Sequence, residues 1–246
     1  MAYFEGVIRS QVMSMNTHLT FVLPDEGDVK GTLILLHGLS GDCTDWARSS
    51  CIDRYARERG LAVFMPEVQR SWYTDMVYGL PYFSFVSQEL PAWIAANFRV
   101  PTDKAHLYVG GLSMGGYGAM KCALTNPERY AGAICLSSRF YLTNKIAGIT
   151  DPTDKGEWIA ILGDAPYGYV PPASDLEGLA AQVKPAEAPR FYLACGTEDS
   201  LYPETVRMHA FLKERGFAVE YGEWSGIHDW KFWDAGIQRG LDSVVR

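Results

Sequence analysis

One stretch limits the folds open to this 246-residue chain more than any other: LYVGGLSMGGYGAM, residues 107–120. Leu107, Tyr108 and Val109 read as a buried strand, Gly111, Ser113 and Gly115 make a G-x-S-x-G pattern, and residues 116–120 can open a helix. A serine in so tight a strand-to-helix turn takes unfavourable backbone angles among close neighbours. The flanking glycines remove the side chains that would collide there. Such a turn lifts the hydroxyl clear of the sheet, an arrangement known as a nucleophile elbow. Any Gly-rich turn can contain a serine by chance, but a strand before it and a helix after it set this one apart.

An elbow of this kind needs a sheet whose strands are joined by helices, and the remaining sequence supplies one. Residues 3–12 and 19–23 read as an antiparallel hairpin at a sheet edge. GTLILL, residues 31–36, is a continuous apolar run of the sort buried on both faces, and it ends at His37-Gly38. Residues 44–59 carry apolar positions at helical spacing, with Thr44 or Asp45 as cap and Gly60 as stop. A strand at 61–65 follows, and then SWYTDMVYG within 66–79 reads as a loop over the C-terminal edge of the sheet. Residues 82–98 predict a long helix that Pro91 kinks or divides. After the elbow come a strand at 131–136 and an irregular insert at roughly 138–188, with short helices at 157–162 and 176–183 forming a small cap. A strand at 190–194, a helix at 203–215, a last strand at 217–223 and a helix at 230–245 complete the chain. Strands alternating with helices predict a single α/β domain over residues 1–246, its mostly parallel sheet covered on both faces.

Charge and cysteines narrow the function. The net charge of -7 comes with no basic run, which argues against a nucleic-acid groove or an anionic membrane partner. Five cysteines are an odd number without a C-x-x-C pair, so they read as reduced thiols of a cytoplasmic protein, and no metal site is expected. No apolar run is long enough to span a bilayer or to serve as an export signal. A homo-oligomer is left open.

A serine hydroxyl is a poor nucleophile at neutral pH and needs a base, with an acid to orient that base. In elbow-bearing α/β enzymes the chain order is Ser, then Asp or Glu, then His. Only His209 and His228 follow Ser113, and His209 lies inside a helical pattern. His228, in the loop SGIHD after the last strand, is therefore the expected base. For the acid, CGTEDS offers Asp199 on the loop after the strand at 190–194, with its neighbour Glu198 read as an outward, solvated charge. Asp229 is a rival by composition, but adjacency to His228 makes an orienting bond awkward, and a cap for the final helix is its ordinary role. Two backbone donors must hold the oxyanion: Met114 after the nucleophile, and Leu39 in HGLSG. His37 is either a base, which chain order disfavours, or a brace for that loop. Trp72, Tyr73, Tyr78, Phe83 and Trp158 could line a site or simply pack.

LLHGLSG with Trp46 soon after, SWYTDMVYG, GLSMGGYGA, CGTEDSLY and GIHDW, in this order, resemble the tributyrin esterase family, within the esterase D and S-formylglutathione hydrolase group. The resemblance covers most of the chain apart from the cap. It implies an α/β-hydrolase fold and cofactor-free hydrolysis of short-chain acyl esters, acetyl or butyryl, with acetylated sugars and feruloyl esters as relatives' substrates. It also implies Ser113, Asp199 and His228 as triad and Leu39 and Met114 as oxyanion donors. Trp72, Tyr73 and Tyr117 are the candidate substrate contacts. The S-formylglutathione hydrolases resemble it less, since their usual histidine after the elbow glycines is Tyr117 here. Thioester hydrolysis or acyl transfer would use the same triad. A catalytically silent binding module would lack a triad member, and none is missing.

Overall fold

The computed structural model describes residues 1–25, 27–164 and 169–245. The opening hairpin, β1 (Ala2–Ser10) and β2 (Met15–Leu23), pairs antiparallel as expected. It is followed by β3 (Gly31–Leu36), β4 (Leu61–Pro66), β5 (Leu107–Leu112), β6 (Gly132–Leu136), β7 (Arg190–Gly196) and β8 (Val219–Trp224). All eight strands form one sheet in the order β1-β2-β4-β3-β5-β6-β7-β8. Strand β2 runs antiparallel to β4, and every pairing from β4 to β8 is parallel. This is the α/β-hydrolase arrangement, and it brings the C-terminal ends of β3, β5, β6, β7 and β8 to one edge.

Successive side chains of a strand point to opposite faces. In β3, Ile34 and Leu36 enter a core with Phe64, Val109, Met120 and Phe191, while Leu33 and Leu35 enter another with Trp46, Tyr55, Ile237 and Leu241. With both faces covered, every residue of β3, β4, β5 and β6 is buried, so their sequences read as apolar runs without alternation.

The covering helices depart from the sequence expectation where tertiary contacts compete with the helical pattern. The helix expected over 44–59 is two helices, α1 (Asp45–Ser49) and α2 (Ile52–Arg59). They part at Ser50, which is extended, because the Cys51 N–H donates to Asp234 Oδ1 at 2.7 Å instead of continuing the ladder. The long helix before the elbow runs unbroken as α3 (Tyr82–Ser84), a π-turn (Phe85–Glu89) and α4 (Leu90–Asn97). Pro91 has no N–H to give, and the wider turn that precedes it, in which Leu90 N–H reaches Phe85 O, makes room for its ring.

After α5 (Met114–Thr125) and β6, the irregular region holds α6 (Leu142–Ala147), α7 (Pro152–Leu162), a 3-10 turn (Pro172–Ser174) and α8 (Leu176–Ala180). Helix α6 escapes the sequence pattern, and α7 starts five residues before the expected 157 because Asp151 accepts the N–H groups of Thr153 and Asp154, with Pro152 opening the helix. Within this insert, residues 165–168 lie outside the described residues. Helices α9 (Tyr202–Glu214) and α10 (Trp230–Val244) fall where expected, whereas the last strand begins at Val219 rather than 217. Among the described residues no helix is long and apolar enough to cross a membrane, and no cluster of His, Cys, Asp and Glu could hold a metal ion.

Candidate active site

Ser113 links β5 to α5 with φ 53° and ψ -115°, a backbone conformation that L-residues rarely adopt. The turn tolerates it because its neighbours lack side chains. A Cβ on Gly111 would lie 2.5 Å from the main chain of Gly115, and one on Gly115 would lie 2.3 Å from Leu36 O. Ser113 N–H donates to Leu136 O at 2.8 Å, which ties the elbow to the next strand. Met114 is the first residue of α5, so its N–H has no carbonyl one turn back to satisfy it. It therefore remains available to an oxygen near the serine.

The loop after β3 borders the elbow. His37 is buried, Val68 N–H donates to its Nε2 at 3.2 Å, and the proton therefore sits on Nδ1, which meets Gly38 O at 2.8 Å. Its carbonyl accepts from Tyr73 Oη at 2.9 Å. Thus His37 braces the loop that presents Leu39, which is half-buried.

His228 and Asp199 meet at this edge. Nδ1–H of His228 donates to Oδ2 of Asp199 at 2.7 Å, with the imidazole 36% exposed and the carboxylate fully enclosed. Asp199 Oδ1 accepts Leu201 N–H at 2.8 Å. Burial works to raise this carboxyl, but the bonds from His228, Leu201 and Ser137 outweigh it and hold it below its ordinary value. Ser137, which the sequence did not single out, leaves β6 with φ 43° and donates its N–H to Ala194 at 2.7 Å. Asp229 instead accepts Phe232 N–H at 3.0 Å as the cap of α10. His209 sits on α9, stacked on Tyr221 with ring centroids 4.7 Å apart.

Glu198 differs from the expectation of a free, solvated charge. Although exposed, its Oε2 accepts Gly226 N–H at 2.6 Å while its own N–H donates to Gly226 O at 3.1 Å. These bonds hold the carboxyl below its ordinary value. Neighbouring acids thus hold the histidine loop at two points, Asp199 by the ring and Glu198 by the main chain. The expected result of Glu198→Ala is roughly a tenfold fall in kcat at unchanged KM, because a small displacement of the imidazole suffices. Glu198→Gln keeps an acceptor and should lose much less. Equal kinetics for the Ala variant and the parent would dismiss the clamp.

Of the aromatic candidates, Trp72, Tyr73, Tyr117 and Trp158 are buried, Phe83 is half-buried and Tyr78 is exposed. Tyr117 is buried with its hydroxyl on Ser174 O at 2.9 Å, and Tyr73, equally buried, donates its hydroxyl to His37 O, so both hydroxyls are engaged within the protein. Trp72 packs on Trp158 and Tyr117 with centroids 5.2 and 6.1 Å apart. Trp72 and Tyr73 both have positive φ, 51° and 48°, a strained pair that persists only when its surroundings fix it. Ser71 Oγ accepts Tyr73 N–H at 3.2 Å and Trp72 O accepts Thr74 Oγ1 at 3.0 Å, and a further hold comes from Lys121, a residue sequence reasoning passed over because a lysine on a helix normally reads as solvated. Its buried Nζ donates to Tyr73 O at 3.0 Å and Thr74 Oγ1 at 3.1 Å, and lies 4.7 Å from the ring centroid of Phe83.

Residues 10–243 match the esterase family described as "Putative esterase". The chain is 32% identical to an acetyl esterase of Caldicellulosiruptor saccharolyticus, over 98% of this chain and 97% of that one. The chain belongs to this esterase family. Its fold superimposes on the substrate-bound fluorophosphonate-binding serine hydrolase F of Staphylococcus aureus with TM-score 0.91 and 30% identity, covering 100% of this chain and 98% of that one. An S-formylglutathione hydrolase of the same organism gives TM-score 0.86 at 30% identity, covering 100% and 99%. The protein is an esterase of the esterase D-like serine hydrolases.

The buried lysine gives the esterase a stability signature. Burial pushes the Lys121 ammonium down to about 8 from 10.5, against smaller upward pulls from Cys122 and Asp75. Between those values the unfolded chain keeps a proton that the folded chain has released, so the group's contribution to stability climbs with pH by up to about 1.4 kcal/mol per unit. Below about 8 the contribution is flat and at its lowest. Urea unfolding of the parent and of Lys121→Met across this window should give a difference that rises with pH. A flat difference would mean that the ammonium is not desolvated.

Proposed function

We propose that the protein is a carboxylesterase that hydrolyses short-chain acyl esters through an acyl-enzyme on Ser113, with His228 as base and Asp199 as the orienting acid. The observation that carries this reading is the 2.7 Å bond from His228 Nδ1 to the enclosed carboxylate of Asp199, on loops at the edge where the strained Ser113 turn emerges. That bond fixes the tautomer, leaving Nε2 as the proton acceptor. The Ser113 hydroxyl passes its proton to Nε2 as its oxygen attacks the ester carbonyl. Negative charge then develops on the carbonyl oxygen, where the N–H groups of Met114 and Leu39 would receive it. Collapse of this intermediate breaks the bond to the alcohol, which leaves with the proton from His228. Water repeats the cycle: His228 takes its proton, the oxygen attacks the acyl carbon, and the acid departs as the Ser113 hydroxyl is restored. No cofactor enters these steps.

An acetyl or butyryl group is the acyl part we favour, which agrees with the acetyl esterase relative. A second reading, thioester hydrolysis, draws on the S-formylglutathione hydrolase whose fold matches over the full chain. All five cysteines are free, and four of them are buried, which suits a reducing compartment such as the cytoplasm. An activity panel of p-nitrophenyl esters of increasing acyl length, with methyl ferulate, an acetylated xylan oligomer and S-formylglutathione, separates these readings. The expected result is the highest kcat/KM on two- to four-carbon acyl esters. A preference for S-formylglutathione by orders of magnitude would replace ester hydrolysis with thioester hydrolysis.

A further inference from the structure

An oxyanion hole with two donors works when both N–H groups converge on one point, and here they belong to different segments: Met114 opens α5, while Leu39 lies on the loop after β3. Leu39 follows Gly38 in a turn that Gly41 N–H closes on Gly38 O at 3.2 Å. The Leu39 N–H and the Gly38 carbonyl are the two sides of one trans peptide, so whatever holds that oxygen aims the N–H the opposite way. His37 Nδ1–H holds it at 2.8 Å, beside the Gly41 N–H. The peptide before it, between His37 and Gly38, is held through its own oxygen by Tyr73 Oη at 2.9 Å. That oxygen lies hard against the elbow, since a Cβ on Gly115 would come within 2.7 Å of it. Tyr73 in turn is anchored on α5. A Cβ on Gly118 would lie 2.4 Å from its ring, and one turn on Lys121 Nζ donates to its carbonyl at 3.0 Å.

We propose that Tyr73 is a positioning residue of the oxyanion hole, which sets the Leu39 donor in register with the Met114 donor by spanning α5 and the loop after β3. The proposal rests on the acyl-enzyme reading above, and it gives a role to a side chain that does not meet the ester, for Tyr73 is 0% exposed. Packing alone does not call for the hydroxyl, because a phenylalanine ring would fill the same space on Gly118. What the hydroxyl adds is a donor to His37 O, and with it a fixed plane for the first of the two peptides that lead to Leu39. The second plane is fixed by the His37 ring, whose Nδ1 keeps its proton because Val68 N–H donates to Nε2 at 3.2 Å. The positive φ of Tyr73, 48°, belongs to this arrangement: it is strain held in place at a functional site by surrounding contacts.

Tyr73→Phe, with far-UV spectra to confirm folding, tests the proposal by removing the hydroxyl alone. Its kcat/KM for p-nitrophenyl acetate should fall by about 10- to 100-fold, short of the roughly 100- to 1,000-fold loss that follows removal of a donor outright. Inhibition by an alkyl trifluoromethyl ketone reads the hole separately: Ser113 Oγ adds to the carbonyl carbon, its proton passes to His228, and the former carbonyl oxygen becomes the oxyanion that the hole receives. The Ki should rise by the same factor as kcat/KM falls, while the acid limb of the pH profile, which reports His228, stays where it is in the parent. Tyr55→Phe is the control, because it removes a buried hydroxyl 3.0 Å from Asp234 Oδ2 in the core on the other face of the sheet. It should lower the Tm and leave kcat/KM and Ki at parent values. Parent values of both quantities in Tyr73→Phe, a loss that Tyr55→Phe matches, or a fall in kcat/KM without a rise in Ki would overturn the positioning role while leaving the acyl-enzyme intact. A parent that the ketone does not inhibit would overturn the acyl-enzyme reading, and this role with it.

Discussion

Ser113→Ala loses ester hydrolysis by about a millionfold in kcat, the loss seen when the nucleophile of such a site is removed. Its fold is retained, because the substitution deletes one oxygen at a half-buried turn and leaves Gly111, Gly115 and the Ser113 N–H bond to Leu136 in place. The backbone strain at φ 53° belongs to the turn and is carried equally by alanine. Unfolding free energy should therefore change by less than about 1 kcal/mol. Steady-state rates with p-nitrophenyl acetate and a urea melt measure both quantities. A variant that keeps more than a few per cent of activity would remove Ser113 from the chemistry.

Asp199→Asn is the second large effect. The carboxylate accepts from His228 through one oxygen and from Leu201 N–H through the other. An amide can satisfy only one of these donors with its oxygen, and the backbone N–H is the one that cannot move. The NH2 group then faces His228 Nδ1, which must give up its proton to accept, so Nε2 becomes the protonated nitrogen and cannot take the proton of Ser113. A fall in kcat of about 10⁴-fold is expected. Asp229→Asn touches only the cap of α10, worth about 1 kcal/mol, and its kinetics should stay close to those of the parent. An Asp229→Asn enzyme as crippled as the serine variant, beside a healthy Asp199→Asn enzyme, would move the acid onto the histidine loop.

These residues were legible in the sequence for reasons that do not extend to the whole chain. Strands buried on both faces must be apolar throughout, so β3 to β6 announce themselves, and loops at their C-terminal ends follow from their positions. The split between α1 and α2 depends on Asp234, about 180 residues away in sequence, and no local pattern encodes it. The π-turn follows from Pro91 only once the helix is known to continue through it. The insert at 138–188 is built by short helices that pack on α5 and the loop at 67–80, and Val77 N–H on Ile161 O is one such contact. Such segments are too short to show a period. Lys121 and Glu198 were misread or missed for one shared reason: a charged side chain in sequence looks solvated, and its engagement with Tyr73 or Gly226 exists only in three dimensions.

Covalent labelling can trap an acyl-enzyme-like adduct on Ser113. The esterase is incubated with an alkyl fluorophosphonate, and its intact mass and peptide map are recorded beside those of Ser113→Ala and His228→Ala. The expected result is one adduct per chain, on Ser113, formed far more slowly in the histidine variant and absent in the serine variant. A stoichiometric adduct on any other residue, or equal labelling of Ser113→Ala, would contradict it.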